Sequence, residues 1–191
     1  MPLLEQSKTY KPFLYPWAVD FAVKHEKVHW GEWEAKLQDD VAQWNNGKLT
    51  DVERNHITQI LRLFTQSDVQ VGTNYLESYI PKFKNNEIRA MLTSFANREF
   101  VHQRSYALLN DTLGLPEEEF SAFLEYQQMA DKIEFMASID VNSMSGLAKA
   151  VARSVINEGM SLFSAFVMLL NYQRTGKMRG MCEIVEWSIR D

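Results

Sequence analysis

Three long segments of this chain carry apolar residues at helical spacing, and each interrupts its apolar face with a carboxylate. In the first, Ile57, Ile60, Leu61 and Phe64 lead on to Val71 and Tyr75, and Asp68 falls on the same face. In the second, Leu92, Phe95 and Leu109 form a stripe that also holds Glu99, His102 and Tyr106. In the third, Val151, Val155, Leu162, Ala165 and Leu169 surround Glu158. Residues three or four apart share one side of an α-helix, so all three acids aim at the core. An isolated buried carboxylate costs on the order of several kcal/mol even after relaxation. The remedies are a proton, a buried cation or a metal ion. Arg98 and Arg104 lie off these faces by spacing, and no lysine or arginine lies on them. Singly, Asp68 has an alternative in a buried serine or backbone group, and Glu158 in a basic side chain. Together with a histidine, the three carboxylates are met most economically by a metal cluster. Oxygen-rich ligands with one imidazole suit iron or manganese better than a structural zinc.

The rest of the pattern predicts six helices and no strand. The first runs from about Tyr15 to Trp30 and is followed by a polar connector, Gly31 to Gly47. Thr50 to Glu53 has the form of a capping box and opens a second helix that ends before Pro81. A third spans about Asn86 to Asp111 and stops at Gly114. A fourth starts at Pro116, with three glutamates favouring its N-terminus, and reaches about Ser138. The fifth covers about Gly146 to Arg174, and the sixth begins near Met178 and reaches the last residue, Asp191. Long helices with short connections imply an all-α bundle of antiparallel neighbours. The expected organisation is one domain over 1–191, with an N-terminal arm at 1–14 and the bundle at 15–191.

Glu-x-x-His occurs three times, as Glu26/His29, Glu53/His56 and Glu99/His102. The first lies in a polar run. The second reads as the capping-box glutamate with an exposed histidine. Only the third sits on an apolar stripe, where one pair can hold an ion and leave the glutamate free to bridge to another. Tyr106, one turn beyond His102, reads either as a core tyrosine with a bonded hydroxyl or as a redox tyrosine beside the cluster.

Basic residues are scattered and net charge is −5, so no nucleic-acid groove is expected. Cys182 is the single cysteine, which excludes an internal disulfide and fits a reducing, cytoplasmic setting. The N-terminus lacks the pattern of a signal peptide. The longest apolar run, around Phe163 to Leu170, is too short to span a bilayer, so no membrane association is expected.

The residues themselves resemble a known family. Tyr10-Lys11-Pro12-Phe13, Tyr15-Pro16-Trp17-Ala18, Phe64 to Val69, Arg98-Glu99-Phe100-Val101-His102, Glu158 to Phe163, and Gly180 to Asp191 are similar to the small subunit of class I ribonucleotide reductase. The resemblance covers essentially the whole chain. It implies a ferritin-like fold and a di-iron or di-manganese centre. One metal would be held by Asp68, Glu99 and His102. The second would be held by Glu158 and a further Glu-x-x-His pair on the sixth helix, with Glu99 bridging. Tyr106 matches the tyrosine oxidised to a stable radical after oxygen activation, in contrast to a subclass with phenylalanine there. Trp30 and Asp191 match an electron relay that passes through His102. Nucleotide substrate would bind to a separate large subunit.

The sequence departs from that pattern after Asp191, where the second Glu-x-x-His pair is expected. The chain is therefore read as an incomplete ferritin-like bundle whose last helix is cut short. Two metal ions belong to the intact site, and one or none to this chain, which would then be inactive. Exposed helix faces would favour a homodimer or other self-association. Competing readings are another ferritin-like di-metal oxidase or iron-binding protein, and an inactive truncated bundle.

Overall fold

Helices α1 (Pro16–Lys27), α2 (Gln38–Asn45) and α3 (Asp51–Thr73) open a computed structural model that describes residues Pro2–Asp191. A π-helical turn (Asn74–Tyr79) carries α3 into the short α4 (Ile80–Lys82). The longest helix, α5 (Asn86–Thr112), follows, then α6 (Glu119–Ala122) and α7 (Gln127–Ala137). A second π-turn (Asn157–Ser161) joins α8 (Met144–Ile156) to α9 (Phe163–Leu170), and α10 (Arg179–Arg190) ends the chain. Among the described residues there is no β-strand.

The frame is the pair α3 and α5, with α1 on another side of α5. Four contacts fix the register. Phe64 meets Tyr106, the Asp68 carbonyl accepts from Gln103, Gly72 abuts Glu99, and Tyr75 meets Phe95. As one number rises the other falls, so the helices run antiparallel. One core gathers around Trp30, Leu61, Phe64, Leu109, Leu169 and Ile184. A smaller one gathers around Ala18, Tyr79, Ile88, Leu147 and Ala150. Asp68 falls between the α3 residues of the first core and the π-turn residues of the second. The residues before α1 lie along the start of α5, where the Asn86 amide donates to Ser7 Oγ.

Local chemistry explains the helix starts. Thr50 Oγ1 accepts from the Glu53 amide at 3.2 Å, and a Glu53 oxygen accepts from the Thr50 amide at 2.8 Å. Asn85 Oδ1 caps α5 by accepting from the amides of Glu87 and Ile88. Gly114, with φ of 72°, closes α5 as the sequence predicts.

Four boundaries differ from the sequence reading. The supposed polar connector contains α2, because Leu37, Asp40 and Trp44 recur at helical spacing and are all buried. The second helix runs past Pro81 through the π-turn, whose wider coil accommodates a ring that would clash in an α-turn. The fourth helix is broken by a 3₁₀ turn, Phe123–Glu125. The fifth contains the second π-turn, and the extra residue there rotates the preceding face. Val151 and Val155 therefore point outward, while Leu147 and Ala150 take the buried positions. After the turn, Leu162, Ala165 and Leu169 are buried as expected.

That π-turn also makes one continuous helical run of Met144–Thr175. By length and composition alone this 32-residue run is long and apolar enough to cross a membrane, which the eight-residue apolar core of the segment does not suggest.

The capping box of α3 is tied to the start of α10, because Lys177 Nζ lies 2.5 Å from Glu53 Oε1. This bond, with that from the Thr50 amide, lowers the Glu53 carboxyl to about 2. Thr50→Ala is expected to cost about 1 kcal/mol in denaturant unfolding. A carboxyl lowered on folding stabilises above its ordinary range near 4.5. The advantage of wild type over Glu53→Gln should therefore be full at neutral pH and fade as pH falls from there through 2.

Candidate metal centre

Antiparallel α3 and α5 bring Asp68, Glu99 and His102 together. Each offers a ligand atom, and these atoms lie within 4.8 Å of one another. The π-turn places Glu158 on the wall of the same cavity, which has a volume of about 500 Å³. A widened turn aims its side chains differently from an α-turn, and such turns recur at functional sites.

The electrostatics record an unmet demand for positive charge. Burial, then the Glu99 charge, pushes the Asp68 carboxyl well above the usual range. Its Oδ2 is buried and has no hydrogen-bond partner. Burial and Glu99 together raise the Glu158 carboxyl to about 7. At His102 burial acts to lower the pKa, but hydrogen bonds to Asp191 and Glu99 outweigh it and hold the imidazole at about 10. Three carboxylates and one imidazole, with one oxygen orphaned, are a donor set that fits a hard or borderline divalent cation such as iron or manganese.

A second set of side chains orients the histidine. His102 Nδ1 is the nitrogen facing the cluster, 3.8 Å from Glu99 Oε2. Nε2 lies 3.2 Å from Asp191 Oδ2. A carboxylate only accepts, so Nε2 keeps its proton against Asp191, and Nδ1 would ligate a metal once it gives up the proton it shares with Glu99. Asp191 Oδ2 also accepts from Trp30 Nε1 at 2.7 Å and pairs with Arg98 Nε at 3.1 Å. The Trp30 ring stacks on His102 with centres 5.9 Å apart.

Arg98 corrects the sequence reading. It lies beside the ligand stripe, but packing of α1 against that flank of α5 buries it to 3% exposure. Besides Asp191 it reaches the His25 carbonyl and His29 Nδ1. Arg104 does point outward, to Glu32. The other two Glu-x-x-His pairs stand apart from the cluster. Glu53 caps its helix, and exposed His56 bonds the Tyr172 hydroxyl. His29 is exposed and takes the Arg98 bond.

Tyr106 is 1% exposed. Its hydroxyl donates to Ser188 Oγ at 3.1 Å, and its ring lies against Phe64 at 5.1 Å between centres. Burial, then the nearby Asp68 charge, pushes the phenol far above its ordinary range, so it stays protonated. Ser188 had no assigned part in the sequence reading. Its signal was a hydroxyl on the apolar stripe Met181, Ile184, Val185.

An all-α, ferritin-like bundle with a carboxylate–histidine cluster between its helices is the class that this geometry defines. The family model described as "Ribonucleotide reductase, small chain" matches residues 7–191, and the chain belongs to that family. Among its relatives is the Invertebrate iridescent virus 6 protein named "Probable ribonucleoside-diphosphate reductase small subunit 376L", 40% identical, with 100% of this chain and 57% of that protein covered. The Chlamydia pneumoniae ribonucleoside-diphosphate reductase subunit beta is 28% identical over 94% of this chain and 56% of its own length. The chain thus spans little more than half of these relatives. In fold it is similar to a ribonucleotide reductase R2 subunit from Clostridium botulinum (TM-score 0.86, 24% identity, 97% of this chain and 60% of that one). It is likewise similar to Streptococcus sanguinis dimanganese(II)-NrdF (TM-score 0.85, 21% identity, 97% and 65%).

Asp68 gives two expected outcomes of opposite sign. Without metal, Asp68→Asn removes a buried, repelled charge and should raise the thermal midpoint. Saturating Mn(II), at about a hundred times its Kd, should stabilise wild type by about 2.7 kcal/mol and the variant by far less. Differential scanning calorimetry measures both.

Proposed function

We propose that this chain supplies the half-site and the redox tyrosine of a class I ribonucleotide reductase small subunit, which generates the radical used to reduce ribonucleotides. The observation that carries this reading is Tyr106. It is a dry, protonated phenol on the same helix face as two candidate ligands, with its hydroxyl held by Ser188.

Asp68, Glu99 and His102 would hold one metal ion, and Glu158, on the wall of the same cavity, would contribute to a second. A bound iron or manganese pair supplies, with dioxygen, the oxidising power that no acid or base side chain has. The chain's residues do the rest. The Phe64 ring and the helix walls keep water from Tyr106. Ser188 Oγ accepts the phenol proton's hydrogen bond and fixes where that proton points. Trp30, Asp191 and His102 form an unbroken hydrogen-bonded line from a buried indole to a candidate ligand. That line can carry an electron inward while Arg98 balances the Asp191 charge. A separate large subunit would bind nucleotide, and a second copy of the small subunit is the expected companion. No nucleic-acid or membrane role enters this reading, and the setting is cytoplasmic.

Two measurements test it. In a longer version that completes the second metal site, iron or manganese loading and exposure to dioxygen should give a tyrosyl electron paramagnetic resonance signal that is absent from Tyr106→Phe. A signal that survives the substitution would place the radical elsewhere. Metal analysis of the 191-residue chain alone should find no more than one ion per chain, because Asp68, Glu99 and His102 serve one site. Two fully occupied sites would refute that count and the inactivity it implies.

A further inference from the structure

Trp30 is 2% exposed, so a donor in solution has no direct contact with its indole ring. Among the described residues, two rings pack against it. His102 stacks on it with centres 5.9 Å apart, and Trp187 lies against it at 5.1 Å with the planes tilted by 48°. Trp187 is only partly buried. The three rings therefore form a row that starts at partly exposed Trp187, passes through buried Trp30 and ends at a candidate metal ligand.

One helix makes two of the contacts to Trp30. Trp187 and Asp191 stand four residues apart at the end of α10, where the Asp191 amide donates to the Trp187 carbonyl at 3.2 Å, so the two side chains share a face. Asp191 Oδ2 accepts from Trp30 Nε1 at 2.7 Å, while Trp187 meets the ring. Packing alone asks for no indole at this place. Another large apolar side chain fills a gap beside Trp30, and a phenyl ring keeps a tilted aromatic contact. What an indole adds is that it gives up an electron far more readily than a phenyl or alkyl group. Between the surface and Trp30, that makes it a step for an electron.

We propose that Trp187 is the entry residue of the relay and passes single electrons to oxidised Trp30 from a small donor in solution, of the ascorbate or thiolate class. Each step moves one electron and makes no bond. Trp187 gives one electron to Trp30 and regains one from the donor, which leaves oxidised by one electron. The indole proton of Trp30 stays in the hydrogen bond to Asp191 while the ring is oxidised, and it is back on Nε1 when the electron arrives. In the intact protein the oxidant of Trp30 is the metal pair with dioxygen, as proposed above. The inference rests on the reading of Trp30 as a relay residue, and not on Tyr106 carrying the radical.

The test needs no metal. It uses the metal-free 191-residue chain carrying Trp17→Phe and Trp33→Phe, which remove the two exposed indoles. Flash-generated tris(bipyridine)ruthenium(III) supplies the oxidising equivalent, and transient absorption separates tryptophan from tyrosine radicals. A tryptophan radical is expected. Adding Trp187→Phe should lower its yield at least tenfold, because Trp30 and Trp44 are buried. A merely structural Trp187 would instead give a lower thermal midpoint with the yield unchanged. Substitutions of Trp30 read the transfer itself. In the Trp30→Tyr chain the tryptophan radical should decay as a tyrosine radical appears at the same rate, and in the Trp30→Phe chain that conversion should be lost. Two results would overturn the proposal: a yield that Trp187→Phe leaves unchanged, or a tryptophan radical that decays alike in the Trp30→Tyr and Trp30→Phe chains. The latter pair keeps Trp187 intact and so decides the question even where Trp187→Phe does not fold. Either result, found alongside a Tyr106-dependent radical in the longer protein, would sink the entry step and leave the reading of Tyr106 standing.

Discussion

Three carboxylates gathered on one cavity, Asp68 and Glu99 buried and Glu158 partly so, are tolerable only if something positive completes them, and the rest of this structure is arranged around that demand. Asp68 and Glu158 are pushed towards protonation by burial and by Glu99. His102 is drawn the other way by the acids around it. Each shift is the free protein's partial answer to a missing charge, made with protons where a metal would do better. Burial, and after it the charges of Asp68 and Glu99, raises the Tyr106 phenol as well.

Placement of the site depends on a helix, α10, that supplies none of the candidate ligands itself. At its start, α10 is held by Asp40 of α2, which is fully buried and accepts from the amides of Gly180 and Met181 at 3.1 and 2.7 Å. Gln43 Oε1 accepts from the amide of Met178, whose φ of 50° is left-handed. A Cβ on Gly180 would sit 2.5 Å from the Lys36 carbonyl oxygen, so only glycine allows this approach. With one end pinned, the other end delivers Ser188 to Tyr106 and Asp191 to Trp30, Arg98 and His102. A helix is stiff enough to carry such a constraint over three turns. The short α2, which looked like a connector, thereby acts on the site from a distance.

Much of this was legible in the residue pattern. The inward faces of α3, α5 and α10 obey a 3.6-residue period without interruption near the site, so Asp68, Glu99 and His102 could be placed on one side of their helices. The capping box at Thr50 and the stop at Gly114 are local chemistry and appear as read. Periodicity failed where the coil itself changes. The π-turn at Asn157–Ser161 shifts the phase by one residue, which turned Val151 and Val155 outward. Nothing in a fixed period anticipates that. Arg98 was misread for another reason. Burial of a flank depends on which neighbour packs there, and α1 is distant from it in sequence.

The sequence by itself determined the helical architecture, the acids that must share a core and the family to which the residues are similar. Those are properties of spacing and side-chain type, which act over one or two turns. Tertiary structure alone decided that His102 turns Nδ1 to the cluster, that Arg98 joins the Trp30, Asp191 and His102 link implied by the family resemblance, and that Ser188 receives the Tyr106 hydroxyl. These contacts join residues dozens to more than 160 positions apart. They exist only because antiparallel packing and a pinned α10 bring the segments to hydrogen-bond distance.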